Sequence, residues 1–256
     1  MKNFQSLYHG NELGERINVQ EKYSSLDLKE WLKSLYEFRK DDTVLDLGCG
    51  NGKELVYFSP YFSKGVGVDN SEKLIKNAQE KKDAKGFKNI SFIYADCNEF
   101  ISKDIKFNVI YSNFSFYYFD EKEVFKNICE MLSSDGTVFI GGSPDDNAPE
   151  VSCLISRLLN KEEVPLTYRS GFSDIKKYRN IFKDHFRSVQ YYRFDNEIRF
   201  PDVSVFLVYL KNTTLCQSLR QDRREYFLEE ARKILEKKEN THLTKVVDVL
   251  KASHIK

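Results

Sequence analysis

The chain has 256 residues, 41% of them hydrophobic and 31% charged, and its 40 basic residues nearly balance its 39 acidic ones. That is the composition of a globular protein with room for one large domain or a domain with a cap, and it excludes a disordered chain. A formal net charge of +1 gives no reason to expect nucleic acid or an anionic membrane as partner, although a local basic patch stays open.

In chain order, the N-terminal stretch MKNFQSLYHGNELGER is polar, without the apolar segment of a signal peptide, and no later run approaches a membrane span. Residues 1–40 read as an amphipathic helical lead-in, with Leu26, Leu28, Trp31, Leu32, Leu35 and Phe38 at near-helical spacing. Short apolar runs then alternate with helical stretches, the pattern of a parallel sheet built from β-α units. Strands are expected at Thr43–Leu47, Gly65–Asp69, Ile90–Tyr94, Phe107–Tyr111 and Thr137–Gly141. Helices are expected between them near Lys53–Phe58, Glu72–Lys85 and Glu121–Leu132. Asp120 with Glu123 reads as a capping box, Ser71 as a second cap, and Asp135-Gly136 as the turn into the fifth strand.

Beyond Gly142 a loop and two helices are expected through Lys183, then a strand at Ser188–Phe194. Helices at Pro201–Leu210 and Ser218–Lys238 lead to a last strand at Thr244–Leu250. The expected fold class is α/β: a Rossmann-like seven-stranded, mostly parallel sheet with flanking helices. It has an N-terminal helical lead-in and helical insertions in the C-terminal half. Residues 1–256 read as a single domain. Within it, 1–40 form a lid, 41–143 a cofactor-binding core, and 144–187 and 201–240 a helical substrate cap.

The chemistry concentrates in VLDLGCGNG, Val44 to Gly52. A strand runs into Gly48, Gly50 and Gly52, and glycine lets the backbone turn sharply and approach a ligand closely. Asp46 stands in an apolar strand end, where a buried carboxylate needs a partner. The spacing is G-x-G-x-G. Lys53 stands where the dinucleotide fingerprint G-x-G-x-x-G has its third glycine, which disfavours a nicotinamide oxidoreductase. Asp69 ends the second strand, where an acid can accept from ribose hydroxyls. Asp96-Cys97 follows the third strand, within reach of an adenine amine. SNFSFYYFD follows the fourth and sets Asn113 and several aromatics beside the same crevice.

VLDLGCGNG, GVGVDNSEKLI, YADCNEF, FNVIYSNFSFYYFD and EMLSSDGTVFIGG, in this order, resemble the motifs of class I S-adenosylmethionine-dependent methyltransferases over roughly residues 40–142. The resemblance implies S-adenosyl-L-methionine as cofactor. Asp46, Gly48, Cys49, Gly50 and Gly52 would line its methionine half, and Asp69 would hold the ribose, flanked by Asn70 and Leu74. Asp96 and Cys97 would meet the adenine edge, with Asn113, Phe114 and Ser115 near the sulfonium. The tail, with FPDVSVFLVYLKNT after the sixth strand, also resembles the branch of trans-aconitate and malonyl-carrier methyltransferases.

An activated methyl group makes positioning the main catalytic task, and a general base is needed only for an acceptor that arrives protonated. His9, beside Tyr8 in the lead-in, is the base candidate, set against the plainer reading of an exposed histidine near a terminus. His185 reads as a surface residue and His254 as frayed. Phe114, Phe116, Tyr117, Tyr118 and Phe119 divide between core and pocket, with Tyr117 and Tyr118 assigned to the pocket. Tyr8, Tyr168 and Arg169 are candidate acceptor contacts, against solvated surface as the alternative. Gln217, Arg220, Arg223 and Arg224 cluster before a mixed-charge helix but are too few to argue for RNA.

Five scattered cysteines, with no zinc-like spacing, give no expectation of a disulfide or a metal and fit reduced thiols in the cytoplasm. The expected function is methyl transfer to oxygen or nitrogen of a small molecule, by a monomer or homodimer. The alternatives are a methyltransferase acting on RNA or protein, and a non-catalytic cofactor-binding protein.

Overall fold

The computed structural model describes residues 12–165, 168, 171–237 and 241–256. Helices α1 (Glu12–Tyr23) and α2 (Leu28–Tyr36) lead into β1 (Thr43–Leu47). Then follow α3 (Lys53–Phe58), β2 (Lys64–Asp69), α4 (Glu72–Ala84), β3 (Ile90–Tyr94), β4 (Phe107–Asn113), α5 (Glu121–Met131) and β5 (Leu132–Gly142). The C-terminal half holds α6 (Pro149–Leu158), α7 (Arg179–His185), β6 (Phe186–Arg199), α8 (Val203–Lys211), α9 (Thr214–Ser218), α10 (Gln221–Leu235) and β7 (His242–Ile255).

Among the described residues the strands form one seven-stranded sheet in the order β3-β2-β1-β4-β5-β7-β6. β1 to β5 pair in parallel, and β7 runs antiparallel to β5. Strand order reverses between β1 and β4, and the crevice above such a switch point is where open α/β sheets take their ligands. This is the Rossmann-like arrangement expected from the alternating pattern.

Differences from expectation are local. Ser71 is the N-cap residue of α4 and extended, but its side chain makes no capping hydrogen bond; its N–H donates to Asp69. Asp120 does cap α5, accepting from Lys122 and Glu123. Asp135-Gly136 lies inside β5, in an irregular stretch where β5 advances from Leu132 to Thr137 while β4 advances from Phe107 to Val109. His254 is held within β7 at φ 61 and is exposed, not frayed.

Two compact units can be distinguished. One comprises Leu28–Pro144, Ser173–Arg193 and Val247–Lys256. Its core packs Leu45, Val68, Ile110, Val138, Ile140 and Leu250 of the sheet against Phe125 and Ile128 of α5 and Phe182 of α7. On the opposite face Tyr36 of α2 stacks on Tyr111 at 5.2 Å and packs tilted against Phe139 at 4.5 Å, with Phe58 of α3 at 5.6 Å. Each such pair adds about 0.5–1.5 kcal/mol beyond area burial, so α2 is anchored to the sheet by its last residue.

The other unit comprises the described residues up to Asp27, with Asp145–Phe172 and Phe194–Val246. Its core is formed by Val151 and Leu154 of α6, Phe206 and Leu210 of α8, Phe227 and Ala231 of α10, and Leu243. Among the described residues no helix is long and apolar enough to cross a membrane.

Candidate functional site

At the end of β1 the backbone turns upward through Gly48 (φ 76) and Gly50 (φ 53), a left-handed region that side-chain-bearing residues rarely adopt. The Gly48 and Cys49 N–H groups both donate to Val68 O, at 2.8 and 3.0 Å, which pins the loop to β2. Gly48 is closed in: a Cβ there would meet Ser115 Oγ at 2.5 Å. Ser115 itself donates to Leu47 O at 2.9 Å and pairs with Ser112 at 2.8 Å. Gly50 is the opposite case, since a Cβ there would have nothing within 4 Å. The loop therefore presents a bare backbone to open space at Gly50.

Asp69 ends β2 and fixes that loop. Its Oδ2 accepts from Gly50 N–H at 2.8 Å and its Oδ1 from Ser71 N–H at 2.9 Å. Burial pushes its pKa up, and those two bonds pull it down. Each oxygen keeps a lone pair after one bond, so the carboxylate can still accept from a ligand's hydroxyls.

Asp46 lies on β1 in register with Tyr111 of β4 and is 4% exposed. Burial, and then the charge of Glu54, raise its pKa well above the usual carboxylate range; the Tyr111 hydroxyl opposes this. Glu54 stands in the first turn of α3. Asn113, at the end of β4, donates to Glu54 Oε2 and to Tyr36 Oη, each at 2.6 Å. Asn113 Oδ1 is buried with no hydrogen-bond partner among the described residues. A buried acid, Asp46, a half-buried one, Glu54, and an unsatisfied carbonyl oxygen at the foot of a bare-backbone loop suit a cationic, hydrogen-donating group such as an ammonium.

Tyr36, Glu54 and Tyr111 were not singled out from the sequence. The acid two residues past Gly52 was the available signal for Glu54, whereas Tyr36 reads only as one more apolar helix position.

The expected adenine end is more open. Asp96 is exposed and its Oδ1 accepts from Asn98 N and Nδ2, both at 2.8 Å. Cys97 is buried, its thiol against Val68 O at 3.6 Å, with its pKa pushed up by burial to about 12. Asn70 is exposed after β2, and Leu74 is half-buried on α4. Cys49 is half-buried, and desolvation raises its pKa well above the ordinary thiol value. Neither cysteine is set up as a nucleophile.

The aromatic segment divides. Phe116 is core at 1% exposure, while the tilted rings of Tyr117 and Tyr118 meet at 4.8 Å in a 3₁₀ turn, Tyr118 being exposed. Phe114 takes φ 58, an uncommon value for a non-glycine, and its N–H donates to Gly141 O at 2.8 Å. His185 is a surface residue, its Nδ1 2.9 Å from Ile181 O and its ring against Phe125. Tyr168 packs half-buried against the core of the second unit. His9, Tyr8 and Arg169 lie outside the described residues. Arg223 is engaged by Glu163 at 2.5 and 3.0 Å and Arg224 by the carbonyls of Gln217 and Leu219, so these arginines hold helix ends together. Among the described residues no group of three His, Cys, Asp or Glu side chains could hold a metal.

Comparison with known proteins gives a consistent result. The family model described as "Methyltransferase domain" matches residues 38–185. The "Uncharacterized methyltransferase YcgJ" of Bacillus subtilis is 28% identical over 115 residues, 44% of either chain. The "27-O-demethylrifamycin SV methyltransferase" of Amycolatopsis mediterranei is 26% identical over 140 residues, 54% of this chain and 51% of that protein. The chain thus spans about half the length of the curated relatives it matches. The crystal structure of the Bacillus YcgJ protein superposes with a TM-score of 0.63 at 19% identity, covering 89% of this chain and 97% of that one, a likeness of fold.

Proposed function

This chain belongs to the S-adenosylmethionine-dependent methyltransferase family, and from that premise we propose that it transfers a methyl group to an oxygen or nitrogen of a small molecule by in-line displacement. The observation that carries the reading is the Gly48–Gly50 loop above β1. It is bare toward open space at Gly50, tied to Asp69 on one side and flanked on the other by buried Asp46 with half-buried Glu54 and Asn113.

The residues fit S-adenosylmethionine in its parts. Asp46, Glu54 and Asn113 Oδ1 would hold the ammonium of its amino-acid end. Asp69 would accept from the ribose hydroxyls, with Asn70 and Leu74 alongside, and Asp96 and Cys97 would border the adenine. When bound, this cofactor supplies a methyl group already activated on a sulfonium.

The chain's own contribution is then placement. Asp69 fixes the loop, and Ser115, wedged between Gly48 and the Leu47 carbonyl, fixes the start of the segment that carries Tyr117 and Tyr118. Alignment of this kind can supply roughly 7–11 kcal/mol in favourable cases. Tyr117 and Tyr118 would form an acceptor wall that excludes water. An acceptor that arrives ionised needs no base.

A small acceptor is favoured because Arg223 and Arg224, in the first turn of α10, are engaged within the protein and do not form a free basic stripe. The rifamycin methyltransferase, by its name, also acts on a small molecule. The test is incubation with methyl-tritiated S-adenosylmethionine and separated cell extract. Label in the small-molecule fraction, absent with Asp46→Ala, is expected; label confined to RNA or protein would overturn the reading.

A further inference from the structure

Asn98 lies in the loop after β3, between Asp96 and helix α5, and the reading above gives it no part. It is half-buried and makes four hydrogen bonds to three residues. Its N–H and its side-chain Nδ2 both donate to Asp96 Oδ1, at 2.8 Å each. Its Oδ1 accepts from the Asp120 N–H at 2.7 Å, and its backbone carbonyl accepts from Asn127 Nδ2 at 2.7 Å.

The side-chain amide has one orientation that satisfies both neighbours. An ionised carboxylate only accepts and a backbone N–H only donates, so Nδ2 must face Asp96 and Oδ1 must face Asp120. Aspartate at this position would lack the donor, and alanine would lack both groups.

The partners on the α5 side are fixed in place. Asp120 is the N-cap of α5, its own carboxylate accepting from the Lys122 and Glu123 N–H groups. Asn127 is 7% exposed, on the face of α5 that carries Val124 and Ile128 into the core. Asp120 also follows Phe119, whose ring stands 3.2 Å from where a Cβ of Gly48 would lie. The anchor of Asn98 is therefore continuous with the core and with the loop above β1.

Asp96, by contrast, is exposed and held from one side. Its Oδ1 takes both Asn98 donors, and its Oδ2 has no hydrogen bond among the described residues. Two donors on one oxygen hold the carboxylate in a single rotamer, so the other oxygen is presented before a ligand arrives. That oxygen suits a group that donates a hydrogen bond, and its charge opposes a group that offers an acceptor.

We propose that Asn98 is a positioning residue for base recognition: it fixes Asp96 so that Oδ2 accepts from the 6-amino group of adenine and disfavours a purine with a 6-oxo group. This rests on the methyltransferase reading, which sets the adenine of the cofactor beside Asp96.

The experiment compares S-adenosylhomocysteine with S-inosylhomocysteine, in which oxygen replaces the 6-amino group, by calorimetric titration of the full chain. In the parent the adenosyl ligand is expected to bind roughly tenfold tighter or more. Asn98→Ala is expected to lower that affinity and to leave the inosyl ligand nearly unchanged, so that the ratio falls to about threefold or less. Asn98→Asp keeps an acceptor for the Asp120 N–H and has no donor for Asp96, so α5 keeps its anchor while discrimination is still lost. It is the variant to read if the alanine protein does not fold, and thermal melting checks both. A merely structural role would weaken the two ligands by the same factor. An unchanged ratio in either folded variant overturns the proposal. A parent that binds both ligands equally also overturns it and leaves the cofactor reading intact. Failure of S-adenosylhomocysteine itself to bind overturns both.

Discussion

The Gly50 N–H donates to the Asp69 carboxylate at 2.8 Å, so the acid that ends β2 also sets the conformation of the loop that ends β1. One side chain thus does two jobs: it builds the crevice and lines it. Asp69→Asn keeps an acceptor for one backbone donor, and Asp69→Ala removes both bonds. The alanine variant is expected to lose about 1–3 kcal/mol of stability, the asparagine variant less, and both to weaken S-adenosylhomocysteine binding. Chemical denaturation and calorimetry check the two effects separately.

Gly48 and Gly50 should respond differently to the same substitution. Gly48→Ala drives a methyl group into Ser115 and is expected to destabilise the fold by several times the cost at Gly50. Gly50→Ala meets open space and pays only the left-handed backbone strain, about 1–2 kcal/mol, but its methyl occupies the ligand's approach. A Gly50→Ala protein that melts near the parent temperature and binds no S-adenosylhomocysteine is the expected result. Normal binding would remove the loop from the site.

Asp46 gives a pH dependence of definite sign. Its folded pKa is raised above the unfolded value by burial and by Glu54. The protonated form is therefore favoured by folding. The stability it contributes is fully present below the unfolded pKa of about 4 and is lost as pH rises through the folded pKa. Asp46→Asn, which cannot ionise, should melt higher than the parent at neutral pH and show little gain at pH 4. The same variant should lose cofactor affinity. In the parent, affinity should rise with pH over the same range, with proton release visible as a buffer-dependent calorimetric heat.

Tyr36→Phe keeps the ring that packs against Tyr111 and Phe139 and removes the oxygen that accepts from Asn113. The expected cost is about 1 kcal/mol in stability, together with weaker S-adenosylhomocysteine binding, since Asn113 keeps its bond to Glu54 but loses one of its two anchors beside the ammonium site. Unchanged affinity in a folded variant would remove Tyr36 from the support of that site.

What the sequence disclosed follows from how local each signal is. β1 and α3 match at both ends because the period changes from two to 3.6 across a glycine loop that no other element can mimic. Asp46 and Asp69 were legible because an acid in an apolar strand end has few reasons to be there. Tyr36 and Glu54 reach the site from helices whose own patterns report only packing. Asn98, Asp120 and Asn127 meet through the packing of α5 on the loop after β3, and no spacing along the chain encodes that. Asp135-Gly136 misled for a similar reason: turn-forming residues also serve where a long strand bulges.

The most direct test of the account is calorimetric titration of the full chain with S-adenosylhomocysteine, with NAD as control and Asp69→Ala alongside. Micromolar binding of S-adenosylhomocysteine, none of NAD, and loss in the variant are the predicted results. Binding of NAD, or S-adenosylhomocysteine binding that survives the loss of Asp69, would contradict the placement of the cofactor above β1 and β2.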